Sequence, residues 1–126
     1  MEKPHKRLIA WQKCMDLVVL IYRITEDFPK SEAYGLVSQM RRAAVSAPSN
    51  IAEGAADRSL EQFNNFLSIS LGSLNELETQ IEISLRINYL NKADFDAAQN
   101  LLDECMALTY GLKRSLKQKQ LLAAHR

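Results

Sequence analysis

The sequence predicts an all-α fold, an up-down-up-down antiparallel four-helix bundle, and three observations predict it. Apolar residues recur at spacings of three and four through four long segments. Only four glycines and three prolines occur in 126 residues, too little turn chemistry for a many-stranded sandwich or barrel. Hydrophobic residues make up 47% of the chain, enough for a core. The length suits one domain spanning 1–126, with basic ends at 1–7 and 118–126. Short connections between four helices make sequential neighbours antiparallel.

The first helix is predicted from about Leu8 to Asp27. Leu8, Trp11, Met15, Val18, Ile21 or Tyr22, Ile24 and Phe28 form its expected inner face. Pro29 prevents easy continuation, and Ser31 reads as the N-cap of the next helix with Glu32 in its first turn. That second helix is predicted over Glu32 to Ala55, burying Leu36, Met40, Ala43, Ala44, Ala47, Ile51 and Ala55. Pro48 removes the hydrogen bond to the Ala44 carbonyl, so a kink is expected there. Ser46, Ser49 and Asn50 stand where they can serve freed backbone groups. Gly54 reads as the terminator. Opposite the apolar face, Arg42, Ser46, Ser49 and Glu53 make a polar stripe flanked by Arg41 and Asn50. It reads as a solvated face, a subunit contact or a ligand site, and sequence leaves all three open.

Ser59 opens the third helix, with Gln62 completing a capping box. The helix is expected to reach about Leu90, with Leu67, Leu71, Leu74, Ile81 and Leu85 on one stripe. Phe66, Ile69, Ile83 and Ile87 lie off it, a second apolar face suited to another copy of the chain. Gly72 sits mid-helix beside Ser73, where close helix approach is the expected reason for a glycine. Asn91-Lys92-Ala93-Asp94 marks the last turn. Phe95, Ala98, Leu102, Cys105, Thr109, Leu112 and Leu116 then define a fourth helix that persists toward residue 120 and frays. Counting along the hairpins puts Trp11 near Pro48, and Arg41 or Arg42 near Gly72 and Glu76.

The formal net charge is +1, but it is unevenly placed. Residues 113–126 carry Lys113, Arg114, Lys117, Lys119 and Arg126 with no acid. Residues 1–7 carry Lys3, Lys6 and Arg7 against Glu2. In an up-down-up-down bundle both ends of the chain and the turn holding Arg58 meet at one pole. Glu26, Asp27, Glu32, Asp94 and Asp96 gather at the other, diluted by Lys30 and Lys92. The bundle is expected to be electrically polar along its axis. A basic pole either caps the fourth helix or meets phosphate or an acidic protein.

Catalytic chemistry finds little support. His5 and His125 lie in terminal segments expected to lack fixed geometry, which disfavours a histidine base or ligand. A di-iron bundle needs Glu-x-x-His on two helices, and the motif is absent. Glu76, Glu78 and Glu82, with Asp103 and Glu104 facing them, read as solvated or ion-paired carboxylates. Cys14 and Cys105 lack a Cys-x-x-Cys spacing and read as core fillers in a reducing compartment. No phosphate-cradling Gly-rich loop occurs. No cofactor is expected, and no metal. Without an 18-residue apolar run or a signal-peptide core, the reading is a soluble cytoplasmic protein with no membrane partner.

Five stretches carry a family resemblance. The residues are Ala10-Trp11-Gln12-Lys13, Phe28-Pro29-Lys30-Ser31-Glu32, Ser38-Gln39-Met40-Arg41-Arg42-Ala43-Ala44 and Pro48-Ser49-Asn50-Ile51-Ala52-Glu53-Gly54, followed by Gly72-Ser73-Leu74. Over about residues 8–112 the chain resembles the bacterial 23S rRNA intervening-sequence proteins, the S23 family. The resemblance implies a four-helix bundle that associates as a homopentameric ring, and it brings no established catalytic residues. The chain is also similar to the accessory variability determinants of diversity-generating retroelements, pentamers that bind nucleic acid and a reverse transcriptase. The expected function is therefore a non-enzymatic homo-oligomer that binds RNA or DNA through Lys113, Arg114, Lys117, Lys119 and Arg58. The alternative is a ring that recruits a protein partner without nucleic acid.

Overall fold

The computed structural model describes residues 2–56 and 59–124. A 3-10 turn at Pro4–Arg7 leads into α1 (Ile9–Thr25). A second 3-10 turn at Lys30–Glu32 precedes α2 (Leu36–Ala55), followed by α3 (Leu60–Arg86) and α4 (Lys92–Ala124). Among the described residues there is no strand. Each helix packs on its sequence neighbours and α4 closes back on α1, while the diagonal pairs α1–α3 and α2–α4 do not approach. This is the antiparallel four-helix bundle expected from the apolar periodicity. Its centre is Leu17, Ile21, Met40, Ile51, Leu67, Leu74, Leu77, Ile81 and Leu102, all fully buried. Each such side chain contributes about 1.5–3 kcal/mol by leaving water.

The inner face of α1 is rotated from the expected one. Ala10, Cys14, Leu17, Leu20, Ile21 and Ile24 are buried, whereas Met15 and Tyr22 are exposed and Trp11 and Val18 half-buried. Helix α1 has two adjacent apolar arcs, and periodicity alone does not say which one two neighbours will cover. The uncovered arc lines a groove of about 350 Å³ with Val45, Pro48 and Ala52 of α2. Trp11 and Pro48 therefore line one groove, near each other as the hairpin counting expects.

Helix α2 starts four residues later than expected, and Ser31 is not its cap. Its N-cap is Gly35, which offers no side-chain bond. Instead the Glu32 Oε1 accepts from the Leu36 backbone N–H at 3.3 Å. A Cβ on residue 35 would meet that oxygen at 2.8 Å, so a glycine makes room for the carboxylate. The helix then runs unbroken through Pro48 to Ala55. Three carbonyls beside the proline accept side-chain bonds. Ser49 Oγ donates to Val45 O at 2.7 Å, Asn50 Nδ2 to Ser46 O at 2.8 Å, and Ser70 Oγ of α3 to Ala47 O at 2.8 Å. These are the three carbonyls that follow Ala44, the one whose helical hydrogen bond Pro48 removes.

The close approach expected at Gly72 occurs at Gly54. Nothing lies within 4 Å of a Cβ built on Gly72, whereas one on Gly54 would meet Phe63 Cδ1 and Phe66 Cβ at 2.8 Å. Gly54 is inside α2 and lets the first turns of α3 lie against it. At its start, α3 is capped as predicted, with Ser59 Oγ accepting from Gln62 N at 3.2 Å. It ends earlier than predicted, because Asn88 takes a left-handed conformation with φ 64°. Asn88 N bonds Leu85 O at 3.1 Å and Tyr89 N bonds Ser84 O at 2.8 Å, the two closures of a Schellman motif. Asn91 then opens α4 by accepting from Asp94 N at 2.8 Å. The buried face of α4 is as read from its spacing, with Ala98, Leu102, Cys105, Thr109 and Leu116 inside. The helix continues through residue 120 to Ala124.

Candidate nucleic-acid interface

The register of α4 sets what its basic residues can reach. Lys13 Nζ lies 3.5 Å from Glu104 Oε1, and Gln99 Nε2 donates to Glu78 Oε2 at 2.8 Å. Leu8, Ile9 and Ala10 accordingly stand beside Leu108 and Leu112. Continuing these registers sets Lys117 opposite Leu60 at the start of α3, so the last two turns of α4 pass beyond α3 by roughly 10 Å at 1.5 Å per residue, and α4 overhangs the start of α1 by more. Arg114, Lys117 and Lys119 are exposed and Lys113 is half-buried. Lys113, Arg114 and Lys117 fall within an arc of about 100° around the helix, while Lys119 projects from another side. Among the described residues none of the four side chains has a hydrogen bond or an ion pair. Arg58 and Arg126 lie outside the described residues. Arg7, at the same pole, pairs with Glu2 at 3.0 Å.

The opposite pole is tied to itself. Arg41 does not reach α3; it turns to the end of α1. Its Nε donates to Thr25 Oγ1 at 3.1 Å, its Nη2 to Tyr22 O at 3.2 Å, and its guanidinium stacks 4.4 Å from the Tyr22 ring centroid. A cation there also complements the negative end of the α1 dipole. The second carboxylate oxygen of Glu32 accepts from Tyr89 Oη at 3.0 Å, which joins the α1–α2 connection to the α3–α4 connection. That bond, then burial, then the Glu32 charge raise the Tyr89 hydroxyl above its ordinary pKa. Lys92 pairs with Asp96 at 2.8 Å.

The polar stripe of α2 divides between the chain itself and the surface. Ser46 Oγ and Ser73 Oγ share a hydrogen bond of 2.7 Å across α2–α3, and Asn50 Nδ2 reaches Ser46 Oγ at 3.0 Å. Arg42, Ser49 and Glu53 are exposed. The carboxylates of α3 and α4 are likewise engaged. Glu78 and Asp103 both accept from Gln99, Glu76 accepts from Gln80, and Glu82 pairs with Arg86. His5 is held more firmly than its terminal position suggests, in the first 3-10 turn with its ring edge-on to Trp11 at 4.9 Å. His125 lies outside the described residues. Sequence reasoning missed Tyr89, Thr25 and Ser70; an isolated polar residue within an apolar period is the signal each leaves.

This fold and its residues match the family model described as 23S rRNA-intervening sequence protein over residues 6–111. The chain belongs to that family. Its bundle is similar to the crystal structure of a protein of unknown function from the S23 ribosomal protein family of Bacteroides thetaiotaomicron. The TM-score is 0.75 at 23% identity, over 83% of this chain and 98% of that one. That likeness establishes the shared fold. No curated protein matches the chain. No helix among the described residues is long and apolar enough to cross a membrane.

Proposed function

We propose that this member of the 23S rRNA-intervening sequence protein family is a non-enzymatic oligomer that binds the backbone of RNA or DNA at its basic pole. The observation that carries the reading is the basic end of α4, where Lys113, Arg114 and Lys117 lie beside the first turns of α3, Lys119 lies past them, and none has a counter-charge among the described residues. A phosphate backbone is the partner that such cations suit, since each contact releases a condensed counterion. Assembly strengthens the case, because a ring of parallel protomers multiplies one pole's charge. The exposed Ile69, Ile83 and Ile87 of α3 and the groove beside Trp11 supply apolar surface for that assembly, with a pentamer expected.

A salt titration with a labelled RNA and a DNA duplex tests the reading. Affinity falls steeply with salt, with a log–log slope of about −3 per protomer engaged. Replacing the four cations by Gln flattens that slope. Undiminished affinity in the variant, or none at low salt, overturns the reading. Mass measurement in solution checks the ring. A lone protomer at high concentration removes the assembly half of the proposal. Loss of the nucleic-acid half alone leaves a protein scaffold, which the apolar groove at Trp11, Met15, Val18 and Val45 favours.

A further inference from the structure

We propose that Cys14 and Cys105 form a redox pair, which a peroxide closes into an intrachain disulfide stapling α1 to α4. The two residues are 91 positions apart and share no motif, but the fold sets them side by side. The Lys13–Glu104 contact of 3.5 Å aligns the antiparallel α1 and α4 so that Cys14 and Cys105 fall within about 3 Å of one level, less than one helical turn. Both cysteines belong to the same core cluster, with no accessible surface, and both are free thiols. Between packed helices 8–10 Å apart, inward side chains at one level meet near the midline, where the sulfurs of a disulfide lie. The Cys105 thiol is shifted upward first by the neighbouring Cys14 side chain and then by burial.

That environment sets the kind of switch. A thiolate is the attacking species, and a buried thiol shifted upward supplies little of it. The pair is therefore a slow responder to sustained oxidation. In the first step one sulfur attacks a peroxide oxygen and the O–O bond breaks. The released hydroxide takes up the thiol proton as water, leaving a sulfenic acid. In the second step the other sulfur displaces the hydroxyl from that sulfenic sulfur. The S–S bond forms and a second water leaves. Two electrons pass from the sulfur pair to the peroxide. The loop so closed takes in nearly the whole bundle, the case in which a cross-link most restricts the unfolded chain. Oxidation thereby locks the first helix to the last, about two turns before the basic residues of α4 begin.

The test uses the full chain treated with hydrogen peroxide and then alkylated under denaturing conditions. Closure is read as a mass lower by about 2 Da with no alkyl group added, and as a proteolytic peptide joining Cys14 to Cys105. The thermal midpoint rises by about 10 °C and returns on reduction with dithiothreitol. Cys14→Ala and Cys105→Ala, made separately, show neither change, and the untreated variants report whether each folds. Two alkylatable thiols after prolonged peroxide, a disulfide between chains, or sulfinic acid in place of the cross-link overturns the proposal. So does a midpoint that falls on closure.

Discussion

The two poles of this bundle are built differently. At the pole where α1 meets α2 and α3 meets α4, long polar side chains cross between elements. Arg41 ties α2 to the end of α1, and Glu32 ties one connection to the other through Tyr89. At the other pole the tight contact is steric, Gly54 of α2 against Phe63 and Phe66 of α3, and the cations of α4 run on into solvent. The difference teaches which charges hold the fold and which are available. A guanidinium with two acceptors and a ring beneath it is committed to structure, whereas a lysine with no partner costs the fold little and can meet a ligand.

The strongest way to break this comparison is to fill Gly54. Gly54→Val forces its side chain into Phe63 and Phe66, and is expected to lower unfolding stability by about 2–3 kcal/mol, read as an earlier urea midpoint. Next comes a paired test of the poles. Arg41→Ala is expected to cost about 1–2 kcal/mol, while Lys117→Ala stays within about 0.5 kcal/mol. Equal losses would erase the distinction between committed and available charge. A finer test uses Asn88, which pins the tied pole in a left-handed conformation. Asn88→Gly should gain about 0.5 kcal/mol and Asn88→Ala lose about 1 kcal/mol in the same assay.

The smallest effect is in pH. With the Tyr89 hydroxyl raised by Glu32, the unfolded chain loses that proton first as pH climbs past about 10. Its share of stability is present below that pH and is lost as pH rises toward the folded value. Tyr89→Phe removes this share of the alkaline slope in stability measured across that range.

Much of the bundle was legible because helical periodicity is local. The four segments, the Ser59 cap and the inner face of α4 follow from spacings of three and four. The misreadings share one cause. Met15 and Leu17 are equally apolar, and which of them goes inside depends on where α2 and α4 sit. Gly72 and Gly54 look alike along the chain, yet only one faces a phenylalanine on another helix. Ser31 is an acceptable cap, but Glu32 reaches the Leu36 amide instead because Gly35 leaves space for its carboxylate.

The candidate interface divides the same way. That α4 ends in unopposed cations is a fact of composition. That these cations stand past the start of α1, with Lys119 also past α3, rests on the registers fixed by Lys13–Glu104 and Gln99–Glu78. Arg41, Arg42, Ser46 and Asn50 looked equivalent as polar residues of one helix. The tertiary structure separated them, giving Arg41 to α1 and Ser46 to Ser73. Sequence alone determined that four amphipathic helices would form, because hydrophobic period and backbone propensity act over a few residues. Only the packed fold decided how each was rotated, which polar groups it absorbed, and that Cys14 and Cys105 would be buried in one core. Those outcomes depend on contacts between residues far apart in the chain, which no short window of sequence contains.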